Sequence, residues 1–303
     1  MISAKIIADT KHKDNRLTTF ELVYPRYIHA ELMTHRVFSR NAASSRAIPI
    51  DKMMELVQED TVVPIWTENQ SGMQGKVITN LEKINKLNNA WFFAARQAIN
   101  NAKQLQELGA HKQNVNRILE PYQHIKVIVT ATNYDNWFNL RYHPDAQGEI
   151  VELAKAMAAE LYLNTPDVAT KDTWHLPYVD TDTFLECINT ATKYNKIAKE
   201  TVVSGMDVAK AVSASCCAQV SYRKLDTSIE KALSIFNSLV GGVPLHASPF
   251  EHQALPCKVG TEKGNFTGWK QFRRDIENGD TIHSNMVQTM QRLKGMDEEQ
   301  DWY

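Results

Sequence analysis

The segment LTTFELVYPRYIHAELMTHR (residues 17–36) carries two periodicities back to back. Leu17–Tyr24 alternates well enough for a half-buried strand, and Pro25 closes it because proline has no N–H to give a ladder. From Tyr27 to about His35 the spacing turns helical. Upstream, the short apolar run Ile2–Ala8 reads as a second strand. Downstream, the polar loop RVFSRNAASSRAIP (residues 36–49) ends at Pro49, and residues 50–59 read as a helix. Beyond Pro64, Gly72 and Gly75, the residues Ile78, Leu81, Ile84, Leu87, Trp91, Ala94, Ile99 and Leu105 recur near helical spacing. They predict one long helix over 76–108, with Gly109 as its stop. A short helix is expected over 111–119. Ile125–Ala131 (IKVIVTA) is β-branched and apolar, as a buried strand requires. Helices follow over 133–141 and 146–163, then near 182–199, 206–220 and 226–240. The polar tail from about 281 is expected to fray. Long helices interrupted by three or so strands predict an α+β fold, a single domain over 1–303.

Composition narrows the function. The chain has 303 residues, 43% hydrophobic and 23% charged, enough to bury a core without staples. Thirty-four basic residues against 35 acidic ones leave a net charge of -1. No global positive field therefore draws nucleic acid or an anionic membrane. The four cysteines, Cys187, Cys216, Cys217 and Cys257, form no C-x-x-C pair and read as reduced thiols. The start MISAKIIADTKHKDN lacks an apolar signal region, and no run reaches 18 apolar residues, so a cytoplasmic protein is expected.

Three clusters stand out. His35–Arg46 (HRVFSRNAASSR) holds three arginines, three serines, an asparagine and a histidine, groups suited to phosphate oxygens. A solvated turn is the plain alternative. Asn136–Arg141 followed by Asp145–Ile150 ends one helix and opens another. Asp145 fits an N-cap and Glu149 the positive helix end. Arg141, beside Leu140, needs a partner if buried. His246–His252 (HASPFEH) pairs histidines with a glutamate, yet the spacing matches no common zinc pattern, so no metal is expected. Cys257 lacks a histidine beside it to act as a nucleophile's base.

His35–Arg36, then seven residues, then Ser44 with Arg46 beyond, resembles the signature of flavin-dependent thymidylate synthases, Arg-His-Arg followed by seven residues and Ser. FELVYPRYIHAELMTHR, Val115–Pro121 (VNRILEP) and the pair Asn139-Leu140-Arg141 and Ala146-Gln147-Gly148-Glu149-Ile150 are similar to the same family. So are Ala218–Tyr222 and the HASPFEH element, which in the family precede the Arg-His-Arg motif. Their place at the end resembles a circular permutation, with about 206–256 standing for the family's N-terminal block. A site depends on where side chains converge and not on chain order, so physics permits this.

The resemblance implies a small, mostly antiparallel sheet with helices around it, FAD between subunits of a homotetramer, and NADPH and methylenetetrahydrofolate as co-substrates. The implied reaction methylates dUMP to dTMP, with no cysteine attacking the pyrimidine. By matched position, His35, Arg36, Asn41, Asn136, Ser221, His246, Ser248 and Glu251 would touch flavin. Ser44, Ser45, Arg46 and Arg117 would hold the nucleotide, with Ser44 a ligand and not a nucleophile. Arg141 would meet the pyrimidine carbonyl and stabilise charge developing on the ring. Glu31 stands where the family has a nucleotide-contacting glutamine. Thr34, Ala42 and Thr132 replace an arginine, a glutamate and an arginine. Two alternatives follow: a dUMP or dCMP hydroxymethylase on the same scaffold, and a non-catalytic nucleotide- or flavin-binding protein. An RNA-binding module built on the Arg/Ser loop ranks behind both.

Overall fold

The computed structural model describes residues 1–72, 75–197, 203–221, 226, 228–242, 245–262 and 264–278. The tail expected from 281, the last turn of the helix expected to 199, and Tyr222 lie outside the described residues. In chain order the strands are β1 (Ser3–His12), β2 (Asn15–Pro25), β3 (Ser39–Ala42), β4 (His124–Ala131), β5 (Asp167–Val168), β6 (Ala254–Pro256) and β7 (Trp269–Gln271). The helices are α1 (His29–Met33), α2 (Ile50–Glu59), α3 (Leu81–Glu107), α4 (Lys112–Val115), α5 (Asp135–Arg141), α6 (Gly148–Leu163), α7 (Thr181–Ile197), α8 (Gly205–Ala218), α9 (Ile229–Val240) and α10 (Arg273–Glu277).

Five strands form one sheet in the order β3-β4-β2-β1-β5, antiparallel except for the β1–β5 pair; β6 and β7 form a separate ribbon. The α+β expectation holds. Strand period two divides the sheet's faces. On one face Phe20, Leu22 and Tyr24 of β2 stand opposite Val129, Val127 and Ile125 of β4, and α1, α5 and α6 cover them. On the other face Thr19 stands opposite Thr130 and Glu21 opposite Ile128. This second face meets Cys217 and Val220 at the end of α8. Residues 208–217 of α8 are buried all round, packed between the sheet, α7 and α9, as a helix without a polar stripe must be. A third core joins α2, α3, α4 and the turn that follows α4.

Four sequence expectations change. β3 lies inside the stretch expected to be loop; its backbone pairs with β4 from Ser39–Thr130 to Ala42–Val127. Four polar or small residues carry no period, so only the neighbouring strand reveals it. The long helix begins at Leu81, not 76, because Val77 bridges Thr67 and Asn80 Oδ1 caps Lys83 N at 2.9 Å. The helix expected over 111–119 stops at Val115 and tightens into 3-10 turns over 116–122 that contain Pro121. Asp145 is not an N-cap: α6 starts at Gly148 after Gln147, and the Asp145 N–H donates to His143 Nδ1. Glu149 does sit in the first turn of α6. Among the described residues no helix is long and apolar enough to cross a membrane.

Candidate functional site

The site begins where α1 runs into β3. Thr34 N and Thr34 Oγ1 both donate to Glu31 O, closing the helix. The chain then turns through His35, whose ring is 4% exposed. His35 stacks on Phe38 at 5.6 Å and meets Trp137 edge-on at 4.9 Å. Arg141, the last residue of α5, donates from Nε to His35 Nε2 at 3.1 Å and from Nη2 to Thr34 Oγ1 at 3.3 Å. Two clusters 106 residues apart in sequence thus meet. Burial, with the positive charges of Arg141 and Arg40, lowers the His35 imidazole to about 4, so it is a neutral acceptor at pH 7. Among the described residues Arg141 makes no ion pair with a carboxylate. Arg40 donates to Met33 O and His35 O, fixing the turn's backbone.

β3 orients the next residues. Ser39 and Asn41 point to the α8 face, Arg40 away from it, because side chains alternate along a strand. Asn41 Nδ2 donates to Cys217 O at 3.3 Å, and its Oδ1 is buried without a partner. Ser44 N donates to Ser221 Oγ at 2.9 Å. Ser45 Oγ donates to Glu120 Oε1, the same atom that pairs with Arg117 and Arg26. One carboxylate shared by two guanidiniums leaves a positive excess there, to which the exposed Arg46 adds. Beside Ser221 and Ala43 a cavity of about 460 Å³ opens between Val23, Ile125 and Lys126 of the sheet and Ile48, Lys52 and Leu56. Its size suits a small organic ligand.

The C-terminal block reaches the same strand. Glu251 is bound to Arg273, and its carbonyl accepts from Gln271 Nε2, which also donates to Ser39 Oγ at 2.8 Å. His246 and Ser248 are exposed, as are Arg36 and Asn136. His252 faces inward and is hydrogen-bonded through Nδ1 to Thr130 Oγ1 at 2.8 Å. The two histidines of HASPFEH therefore occupy unlike surroundings. Glu31 Oε2 is buried without a partner. The structure gathers His35 with Arg141, Ser44 with Ser221, and Ser45 with Arg117. It leaves Arg36, Arg46, Asn136, His246 and Ser248 on the surface.

Sequence reasoning missed the layer behind the site. Thr10 Oγ1, His175, Thr19 Oγ1, Thr130 Oγ1 and His252 form one hydrogen-bonded chain across β1, β2 and β4, each link 2.7–2.9 Å. His175 stands alone in a connector, with nothing around it to mark it. Glu120, the hub for Ser45, Arg117 and Arg26, was legible only as a letter of VNRILEP. Three buried thiols are inert by the same physics. Desolvation pushes Cys187 up to about 11 and Cys216 to about 12, and lifts Cys217 as well.

Compared with known proteins, residues 16–167 match the sequence profile of the family described as thymidylate synthase complementing protein. That span holds β3, β4 and nearly all of β2 of the main sheet, together with the His35–Arg46 loop and Arg141, while β1 lies before it. No curated protein matches the chain. Among solved structures, a UMP/dUMP methylase, PolB from Streptomyces cacaoi, bound with 5-Br dUMP is similar at a TM-score of 0.45. Identity is 14%, over 53% of this chain and 90% of that one. The same methylase bound with 5-Br UMP gives a TM-score of 0.43 at 14% identity, over 53% and 88%.

Proposed function

The chain belongs to the thymidylate synthase complementing protein family, and from that premise we propose that it methylates dUMP to dTMP. In this reading FAD is the cofactor, and methylenetetrahydrofolate and NADPH are co-substrates. The observation that carries the reading is Arg141: a guanidinium held by two neutral acceptors, next to a loop rich in phosphate ligands.

Ser44, Ser45, Arg46 and Arg117 hold the nucleotide phosphate. Glu120 restrains Arg117 and Arg26 without cancelling both charges. Arg141 meets the pyrimidine carbonyl oxygen and stabilises the negative charge that builds as C5 becomes nucleophilic. A fixed cation aimed at developing charge lowers the barrier without reorganising. Ser44 orients the nucleotide and forms no bond to it. The raised thiols supply no thiolate to attack the ring, which agrees with a route free of cysteine.

The donor set fits a flavin dinucleotide. Arg36, Asn136, His246 and Ser248 present exposed donors of the kind a diphosphate and ribityl hydroxyls need, and Asn41 offers a buried acceptor. Ser221 acts through the Ser44 backbone, and Glu251 through its pair with Arg273. When bound, reduced flavin supplies the hydride that completes the methyl group. Residues 206–256 take the place of the family's N-terminal block in one domain over 1–303. The contacts of Asn41 with Cys217, Ser44 with Ser221, and Ser39 with Gln271 support that reading.

A second reading, hydroxymethylation of dUMP or dCMP, is favoured by Thr34 standing where the signature has arginine and by the unpartnered oxygen of Glu31. The test is the absorbance spectrum of the purified protein with added FAD, titrated with dUMP and then dCMP. Assays with labelled NADPH follow. Flavin bands perturbed by dUMP, with label in the product methyl group, are expected. Perturbation by dCMP, or an unlabelled hydroxymethyl product, selects the second reading. A protein that stays colourless and binds neither nucleotide is only a repurposed fold.

A further inference from the structure

Arg141 has an unusual setting for a cation near the core: its neighbours take its hydrogen bonds but not its charge. His35 Nε2 accepts from Nε and Thr34 Oγ1 accepts from Nη2. Because His35 Nε2 is an acceptor, its ring proton sits on Nδ1. The imidazole itself is immobile, stacked on Phe38 and struck edge-on by Trp137. Trp137 and Arg141 are i and i+4 on α5, so one face of that helix both packs against the ring and bonds to it. Thr34 is fixed in turn, since its hydroxyl proton goes to Glu31 O at 2.6 Å and leaves a lone pair toward Arg141.

We infer that His35 and Thr34 form a neutral two-point rest that aims Arg141 while leaving its charge and both Nη1 protons free for an anionic or carbonyl-bearing ligand. His35 is a positioning residue, acting through Arg141. Thr34 completes the rest in place of an arginine. A guanidinium at position 34 would offer Arg141 no acceptor. An acceptor with a full negative charge, such as a carboxylate, would hold Arg141 equally well but neutralise it. The inference rests on the reading in which Arg141 meets the pyrimidine.

The test compares the wild type with His35→Phe, His35→Gln, Thr34→Val and Thr34→Arg. Two readouts are taken from the full-length protein: the ¹⁵N–¹H signal of Arg141 Nε, assigned by its loss in Arg141→Lys, and the Kd for dUMP and dCMP. His35→Phe keeps an aromatic in the stack and removes the acceptor. It should speed solvent exchange of the Nε proton, shift its signal and weaken nucleotide binding roughly tenfold or more. His35→Gln keeps an acceptor oxygen near the same place and should restore most of both. Thr34→Val should cost a few-fold, and Thr34→Arg more. An unchanged Arg141 signal in His35→Phe overturns the inference. So does a His35→Gln variant as impaired as His35→Phe. If the wild type binds neither nucleotide, the proposed function fails, and the Nε signal still decides the positioning role.

Discussion

His175 and His252 are buried with no exposure; His175 spends both ring nitrogens on threonine hydroxyls of the sheet, and His252 spends Nδ1 on a third. Burial lowers both from 6.5 to about 3. Well above pH 6.5 neither the folded nor the unfolded chain protonates them, and they add little pH dependence. Between 6.5 and 3 the unfolded chain binds protons that the folded chain refuses, so stability falls as pH drops. Each histidine should cost on the order of 1 kcal/mol per pH unit in that window. His29 and His35, lowered to about 4, push in the same direction. Urea denaturation at pH 7.5, 6.5 and 5.5 should show a smaller loss of stability over the first step than over the second. Equal midpoints at 6.5 and 5.5 would contradict neutral burial.

At the scale of elements, the close approach of α7 and α8 decides how the C-terminal layer packs. A capping box, Ser204 with Asp207, starts α8, and Gly205 follows it. A Cβ on Gly205 would lie 2.6 Å from Ile188 Cγ1 and 2.9 Å from the Ile188 Cα on α7. Backbone cannot yield as a side-chain tip does. Gly205→Ala is therefore expected to destabilise by about 1–3 kcal/mol, although alanine gains up to about 1 kcal/mol in helix preference. A lowered denaturation midpoint at unchanged slope is the expected signature, and Ile188→Ala, which removes Cγ1, should recover part of it. A Gly205→Ala protein as stable as the wild type would mean that α7 slides freely. Element boundaries were the part of the sequence least able to speak. α2 was legible because Met53, Met54 and Val57 mark one face. β3 was not, because Ser39–Ala42 owe their extension to β4 and to nothing in their own spacing.

For the whole molecule, the matched span 16–167 contains β2, β3 and β4 of the main sheet and the helices that cover one of its faces. The other face presents Thr19, Ile128, Thr130 and Asn41, and it is closed by His175, Cys217, Val220 and His252 from beyond residue 170. A chain ending at residue 170 would keep the paired strands and strand those hydroxyls and amides without their partners. It is expected to expose apolar surface, to bind a dye such as ANS and to lose cooperative unfolding. A fragment that unfolds cooperatively with the wild-type midpoint would show the C-terminal layer to be an accessory.

The sequence alone determined the local devices: the strand of residues 17–24 and its proline stop, the buried strand over 125–131, and the helices whose apolar residues repeat. It also supplied the short motifs that mark the family, because identity and spacing are properties of the chain itself. It located the cations of the candidate site, but not what holds them. That Arg141 rests on His35 and Thr34, that Glu120 gathers Arg26, Arg117 and Ser45, and that HASPFEH sends one histidine outward and the other into the sheet were settled by the tertiary structure. The reason is physical. Periodicity records which face of an element is buried. Hydrogen bonds between distant residues, and the pKa shifts that burial causes, exist only once those faces meet.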